Sequence, residues 1–300
     1  MSQARKPILV PFLKWAGGKR WLALRYGYLF PTNFRRYIEP FLGGGAVFFA
    51  LAPAKAILSD ANERLTECYR ELRDRPVAFS RLMKAHQERH SFEYYYSTRS
   101  KLPRTSLARA AQFLYLNRTC WNGLYRVNLA GEFNVPKGTK EAVIFDGESF
   151  DDYARALKNA KIKCCDYEKA IALAGPDDFL FVDPPYTAKH NCNGFVKYNE
   201  TIFSWADQVR LHTALVAASS RGAKILLCNA HHESVLDLFQ DLGTPHILSR
   251  ISVIGGESRS RSEVTEIAVA VNYPTHCITN GLMHQIPALP PNENGHSKII

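Results

Sequence analysis

Short apolar runs alternate with helical patterns along most of this chain, and that alternation limits the folds open to it. Runs with strand character fall at 37–39, 56–59, 161–164, 179–182 and 224–228, with two more at 246–253 and 264–271. Helical patterns separate several of them. At 204–220, Ser204 is placed as an N-cap with Asp207 three residues on. Alternation of this kind predicts an α/β fold, a Rossmann-like parallel sheet with helices on both faces. The last two runs, separated by GGESRSRS, read as a hairpin closing the sheet. The pattern breaks between about 64 and 148, where the chain is basic, aromatic and helical at first, then turn-rich. The expected organisation is a sheet domain from 1–63 and 149–273 with a mostly helical domain, 64–148, inserted into it. Residues 274–300, rich in Pro, Asn and Gly, are expected to form a disordered tail.

Charge narrows the partner. The formal net charge is +10, and it is unevenly placed: residues 1–38 hold eight Lys or Arg and no acid. Residues 94–131 are also acid-free and carry Arg99, Lys101, Arg104, Arg109, Arg118 and Arg126 among aromatics. Such blocks suit phosphate binding with base stacking. Seven cysteines without C-x-x-C spacing argue against a disulfide framework and a zinc knuckle. His86 and His90 in HQERH have zincin spacing, but Gln87 stands where the glutamate base belongs, so a solvated helix face is expected. There is no signal-peptide pattern, and no apolar run approaches the roughly 20 residues that span a bilayer, so a cytoplasmic protein is expected.

Three motifs carry the chemistry. In YIEPFLGGGAVFF a strand ends at Glu39, and Gly43, Gly44 and Gly45 turn tightly into a helix, as a nucleotide-like ligand requires. Phe48 stands where the third glycine of a dinucleotide fingerprint belongs, while Asp60 ends the next strand where an acid would reach ribose hydroxyls. An adenosine-containing ligand without a pyrophosphate fits both facts. In FLKWAGGKR, Lys19 offers a cation for a carboxylate or phosphate and Trp15 an apolar wall; a basic arm with a buried Trp is the simpler reading of that segment alone. In DFLFVDPPYT a buried strand ends in Asp183, Pro184, Pro185 and Tyr186. A nucleobase amine is a poor nucleophile because its lone pair is delocalised into the ring. The Asp183 carboxylate and the Pro184 carbonyl, held rigid by the prolines, can accept its hydrogens and free that lone pair, while Tyr186 offers a stacking face.

With these residues in hand, the chain resembles the Dam-like DNA adenine-N6 methyltransferases of the alpha group. FLKWAGGK, YIEPFLGGGAVF, LSDAN and DPPY are similar to that family's motifs in its order, and NRTCWNGLYRVNLAGEFNVPKG is similar to its target-recognition hairpin. The resemblance runs from about 11 to 273. It implies S-adenosylmethionine as methyl donor, with Trp15, Gly17, Lys19, Phe41, Gly43, Asp60 and Asp183 at its site and Asp166 near its adenine; no metal is implied. It implies double-stranded DNA as substrate, with Asp183 and Pro184 polarising the target N6 and Tyr186 stacking on a flipped base. By the same resemblance the hairpin reads GATC. Lys14 would read the first guanine, Arg126 a guanine, and Leu124 and Pro136 apolar features of the site, while Trp121 and Asn122 fill the space left by the adenine. Two departures stand out: the third glycine of GGGAVFF replaces Ala or Ser of many relatives, and Trp121 replaces a frequent Tyr.

The competing readings are an adenine methyltransferase of another target sequence, an RNA or cytosine-N4 methyltransferase, an NAD-dependent oxidoreductase and a catalytically dead DNA-binding protein. The aspartate of DPPY and the hairpin disfavour the RNA and cytosine-N4 readings. The missing third glycine and the basic insert oppose the oxidoreductase, and the intact Asp183, Pro184 and Tyr186 oppose the dead protein. A cytosine-C5 mechanism lacks its Pro-Cys nucleophile.

Overall fold

The computed structural model describes residues 9–128, 130–187, 203–251 and 263–275. Its sheet has seven strands: β1 (Arg36–Glu39), β2 (Ala56–Asp60), β3 (Ala160–Cys164), β4 (Asp178–Val182), β5 (Lys224–Ala230), β6 (Pro245–Ile251) and β7 (Glu263–Val271). They lie in the order β3-β2-β1-β4-β5-β7-β6. Strands β1 to β5 pair in parallel, and β7 runs antiparallel between β5 and β6. The observed strands match the expected runs to within about two residues at each end. Residues 252 and 253 and the GGESRSRS link fall outside the described residues, as does the tail beyond 275.

The central strands are continuously apolar because both faces of the sheet are covered. Side chains alternate across a strand, so Tyr37, Leu58, Phe179 and Phe181 enter one core while Ile38, Ile57, Leu180 and Val182 enter the other. The second core is closed by α8 (Tyr167–Ile171), α9 (Trp205–Ser220) and α10 (Glu233–Phe239). Helix α9 starts on the capping box expected for it, with Ser204 and Asp207 bonding each other's backbone amides.

The first core is covered by α1 (Arg20–Arg25), α2 (Ala46–Leu51) and α3 (Glu63–Asp74), with α7 (Phe150–Leu157). It continues without a break into α4 (Pro76–Arg89), α5 (Phe92–Arg99) and α6 (Ser106–Thr119) through Phe79, Met83, Tyr95 and Tyr115. No described residue between β2 and β3 adds a strand to the sheet. His86 and His90 turn inward and meet the hydroxyls of Tyr94 and Tyr115, both at 2.9 Å, where a solvated face was expected. No helix among the described residues is long and apolar enough to cross a membrane.

After α6 the expected hairpin is held by two isolated antiparallel bridges, Cys120 to Lys137 and Val127 to Phe133, with no continuous ladder. The sequence explains the weak pairing. Asn122 and Gly123 adopt left-handed conformations (φ 54° and 66°), and Pro136 has no N–H to donate. Antiparallel pairing is therefore carried by single bonds such as Trp121 N–H to Pro136 O, 2.9 Å, and Asn134 N–H to Arg126 O, 3.2 Å.

Candidate active site

The strand order reverses between β1 and β4, and in an open α/β sheet the crevice beyond such strand ends is where ligands bind. The glycine turn leaves the end of β1, and the DPPY stretch leaves the end of β4. Gly43 has φ 46°, and a Cβ there would lie 2.6 Å from the Trp15 ring. Only glycine fits that close approach. The turn is tied down by Asp60 at the tip of β2, whose carboxylate accepts from Gly43 N–H at 3.0 Å and Asn62 N–H at 2.9 Å. Burial pushes the Asp60 carboxyl above its ordinary range although these amides pull it down.

Lys19 is the hub of the DPPY end. It is 3% exposed, and its ammonium lies 2.9 Å from Asp183 Oδ1, an ion pair without a well-aligned hydrogen bond. The same ammonium lies 3.3 Å from Glu266 and 4.7 Å from the centre of the Tyr186 ring, and donates to Gly17 O at 3.0 Å. Burial alone would lower the lysine's pKa; the two carboxylates outweigh it and raise it. Burial pushes Asp183 up to about 6, against the pull of Lys19. A protonated Asp183 keeps one carbonyl oxygen but is a weaker acceptor than the carboxylate, so an activity that relies on this acceptor is expected to fall as pH drops through about 6, above the range of an ordinary aspartate. A kcat profile flat from pH 8 down to 5 would contradict this.

The expected cofactor residues gather at this end of the sheet. Trp15 stands between the glycine turn and the hairpin, stacked on Tyr125 at 5.6 Å. Phe41 stacks on Tyr167 at 5.2 Å and meets Phe203 edge-on at 5.7 Å. Asp166 is less free than the motif suggests. It caps α8 by accepting from Glu168 N–H, and it is 3.4 Å from Arg210. Two buried atoms of this region, Glu39 Oε2 and Ser59 Oγ, have no hydrogen-bond partner among the described residues. A polar, adenosine-bearing cation such as S-adenosylmethionine fits an end lined by Glu39, Asp60 and Asp183, with a glycine turn that admits close approach.

The expected DNA-contacting residues are also brought together. The Asn117 side chain, 1% exposed, bonds Lys14 N–H and O and Gly123 O, fixing the N-terminal segment against the hairpin turn. The Lys14 stem fills the space in front of Gly123, and Trp121 and Leu124 are exposed. Arg126 donates to Asn134 Oδ1 at 2.8 Å.

The acid-free blocks need a correction. Several of their cations meet acids from other segments: Arg35 and Arg36 pair with Asp178, Lys19 with Asp183 and Glu266, Arg109 with Glu67 and Arg118 with Glu148. An acid-free stretch of sequence is thus not an unpaired surface. Lys14, Arg20, Arg25, Arg99, Lys101, Arg104 and Arg126 have no acidic partner among the described residues, and these are the described cations of the two blocks left for phosphate or base. Sequence reasoning missed Glu266, Asn117, Tyr167 and Phe203. Glu266, the second of two glutamates in the β7 run EVTEIAVAV, is marked only by standing where an apolar residue would otherwise pack.

Residues 15–253 match the family described as D12 class N6 adenine-specific DNA methyltransferase. The chain is 39% identical to the type II methyltransferase M1.LlaDCHI of Lactococcus lactis subsp. cremoris, over 91% of this chain and 99% of that protein. It is 37% identical to the type II methyltransferase M.MjaIII of Methanocaldococcus jannaschii, over 74% and 84%. With the DNA adenine methylase of Haemophilus influenzae it shares 31% identity over 78% and 84%. The match spans the glycine turn, the DPPY stretch and the hairpin, and the chain belongs to the D12 class of N6 adenine-specific DNA methyltransferases.

Proposed function

We propose that this enzyme methylates N6 of adenine within GATC in double-stranded DNA, with S-adenosylmethionine as donor and the target adenine flipped out of the helix. The carrying observation is the convergence of Asp183, Pro184, Tyr186 and Lys19 at the end of β4, beside the Gly43 turn. In this reading residues 1–63 and 149–273 form the catalytic part and 64–148 the recognition part. When bound, S-adenosylmethionine supplies a methyl group on a positively charged sulfur.

The chain's own residues prepare the nucleophile. The flipped adenine lies on the Tyr186 ring, and its N6 hydrogens are accepted by the Asp183 carboxylate and the Pro184 carbonyl. Both bonds draw the nitrogen toward a pyramidal shape, in which the lone pair is available for the methyl group. Lys19 keeps Asp183 ionised near neutral pH and orients it. Trp15, Gly17, Phe41, Gly43, Asp60 and Asp166 surround the donor.

For recognition, Lys14 and Arg126 donate to guanine O6 and N7, and Leu124 and Pro136 meet the thymine methyl, while Trp121 and Asn122 occupy the space the adenine leaves. The exposure of Trp121 and Leu124 and the shared anchoring of Lys14 and Gly123 by Asn117 support this. GATC-containing DNA treated with the protein and S-adenosylmethionine should resist a GATC-cutting nuclease blocked by adenine methylation; full cleavage would refute the GATC assignment. Arg126→Ala should lower methylation at cognate sites by about 1–3 kcal/mol of discrimination and relax one position of the site. A loss uniform across all sequences would instead make Arg126 a phosphate contact.

A further inference from the structure

Four charged groups and one hydroxyl meet beneath the DPPY stretch, and the function proposed above uses only part of them. Glu266, on β7 opposite Ala230 of β5 and Leu248 of β6, is 2% exposed. Its Oε2 accepts from the Tyr186 hydroxyl at 2.7 Å and its Oε1 from Arg250 Nε at 2.5 Å, and the Lys19 ammonium is 3.3 Å away. Burial opposes the ionised form, yet Lys19, Tyr186 and Arg250 together hold the Glu266 carboxyl below its ordinary range. Two carboxylates, Asp183 and Glu266, and two cations, Lys19 and Arg250, thus form a charge-balanced cluster whose centre, Lys19 and Glu266, is buried.

A buried carboxylate placed mid-strand is costly unless it is paired, and a strand at this position needs only an apolar side chain for stability. The bonds it makes show what its charge secures. The Tyr186 ring follows two prolines that fix the loop, and its one polar atom is anchored by Glu266. Lys19 is shared between Glu266 and Asp183, so Glu266 also sets where the ammonium lies.

We propose that Glu266 is a positioning residue for methyl transfer, holding the Tyr186 ring for the target base and dividing the Lys19 ammonium between itself and Asp183. The inference rests on the assignment of Asp183 and Tyr186 to the target adenine. The groups facing Asp183 are Lys19 from the segment before α1, Tyr186 in its own loop, Glu266 on β7, Cys228 on β5, and Tyr37 and Glu39 on β1. Arg250 on β6 reaches the cluster through Glu266. Of these, Glu266 is the negative group that both competes for Lys19 and disfavours the charge on Asp183.

The test uses the full chain, Glu266→Gln, and duplex DNA carrying 2-aminopurine at the target position for flipping or adenine there for turnover. Gln keeps the size of the side chain, and a melting curve reports whether the fold persists. The expected result is a fall of about tenfold or more in kcat with KM for S-adenosylmethionine within about twofold of wild type. The acid limb of the kcat profile should move to lower pH, because Lys19 then serves Asp183 alone and a repelling charge is gone. The 2-aminopurine signal on binding should shrink, since the ring that receives the base is no longer held. Tyr186→Phe, which deletes the anchored hydroxyl without touching a buried charge, should reduce the same signal, and its kcat loss should not add to that of Glu266→Gln. A Glu266→Gln enzyme with wild-type kcat, acid limb and flipping signal would overturn the inference alone. If Glu266→Gln does not fold, additive or absent loss in Tyr186→Phe, read against Arg250→Gln as the second member of the pair, would overturn it. A wild-type protein that methylates no adenine would overturn the assignment of the site, and the inference with it.

Discussion

Asp183→Ala should lower methyl transfer by about a thousandfold or more, roughly 4 kcal/mol in barrier, while leaving the melting temperature and most duplex affinity in place. In the proposed mechanism the carboxylate accepts from the reacting amine, and the truncated side chain would leave only the Pro184 carbonyl to polarise it. It also leaves the Lys19 ammonium facing Glu266 alone, a cation displaced from the position it now occupies 2.9 Å from Asp183. In protein–DNA complexes contacts to phosphate carry much of the affinity, a role for which the Asp183 carboxylate is unsuited. Asp183→Asn is the sharper variant. It keeps the volume and one acceptor oxygen but no charge, and its residual rate should lack the acid limb near pH 6 expected of the wild type. Asp183→Ala activity within about tenfold of wild type, 1.4 kcal/mol or less, would remove Asp183 from the reacting centre.

The second large effect is on stability and lies far from the chemistry. Arg118, on α6, is 1% exposed and pairs with Glu148, 4% exposed. Its guanidinium also donates to Phe12 O at 2.9 Å and to Val143 O at 2.7 Å, and it lies 4.6 Å from the Phe145 ring. One side chain thus joins the N-terminal segment, the helical part and the loop leading back to the sheet. Arg118→Ala leaves Glu148 buried without its cation and two carbonyls without a donor. The expected cost is about 3–5 kcal/mol, a drop of roughly 5–15 °C in Tm for a chain of this size. Arg118→Lys should recover little, since one ammonium cannot make the planar fork of contacts. Replacing both partners, Arg118→Met with Glu148→Leu, should recover much of the loss, because no charge is then left unpaired. A change below about 1 kcal/mol in Arg118→Ala would show that the cluster is solvated and not a clamp.

The sheet was legible because parallel strands covered on both faces must be apolar throughout, and turns of glycine, proline and asparagine mark their ends. Runs such as DFLFV and KILLC therefore announce themselves, and the capping box at Ser204 is a purely local device. The DPPY stretch and the glycine turn were legible because each follows a strand directly. Position in the sheet could not be read locally. The insertion of β7 between β5 and β6 is set by long-range pairing, and that insertion carries Glu266 beneath Tyr186. Charge patterning misled for the same reason. Arg109 and Arg118 sit in an acid-free stretch, but their acids, Glu67 and Glu148, approach from segments 42 and 30 residues away. The hairpin was found by resemblance, and only the structure shows that it is held by two backbone bridges and by the Asn117 side chain.

The most direct measurement of the central claim is to incubate the protein with methyl-labelled S-adenosylmethionine and paired duplexes, one holding GATC and one with its adenine moved to another context, and then to digest them to nucleosides. The label should appear as N6-methyl-2′-deoxyadenosine from the GATC duplex, and it should vanish with Asp183→Ala. Label on cytosine, label spread equally over both duplexes, or full labelling by Asp183→Ala would contradict the account.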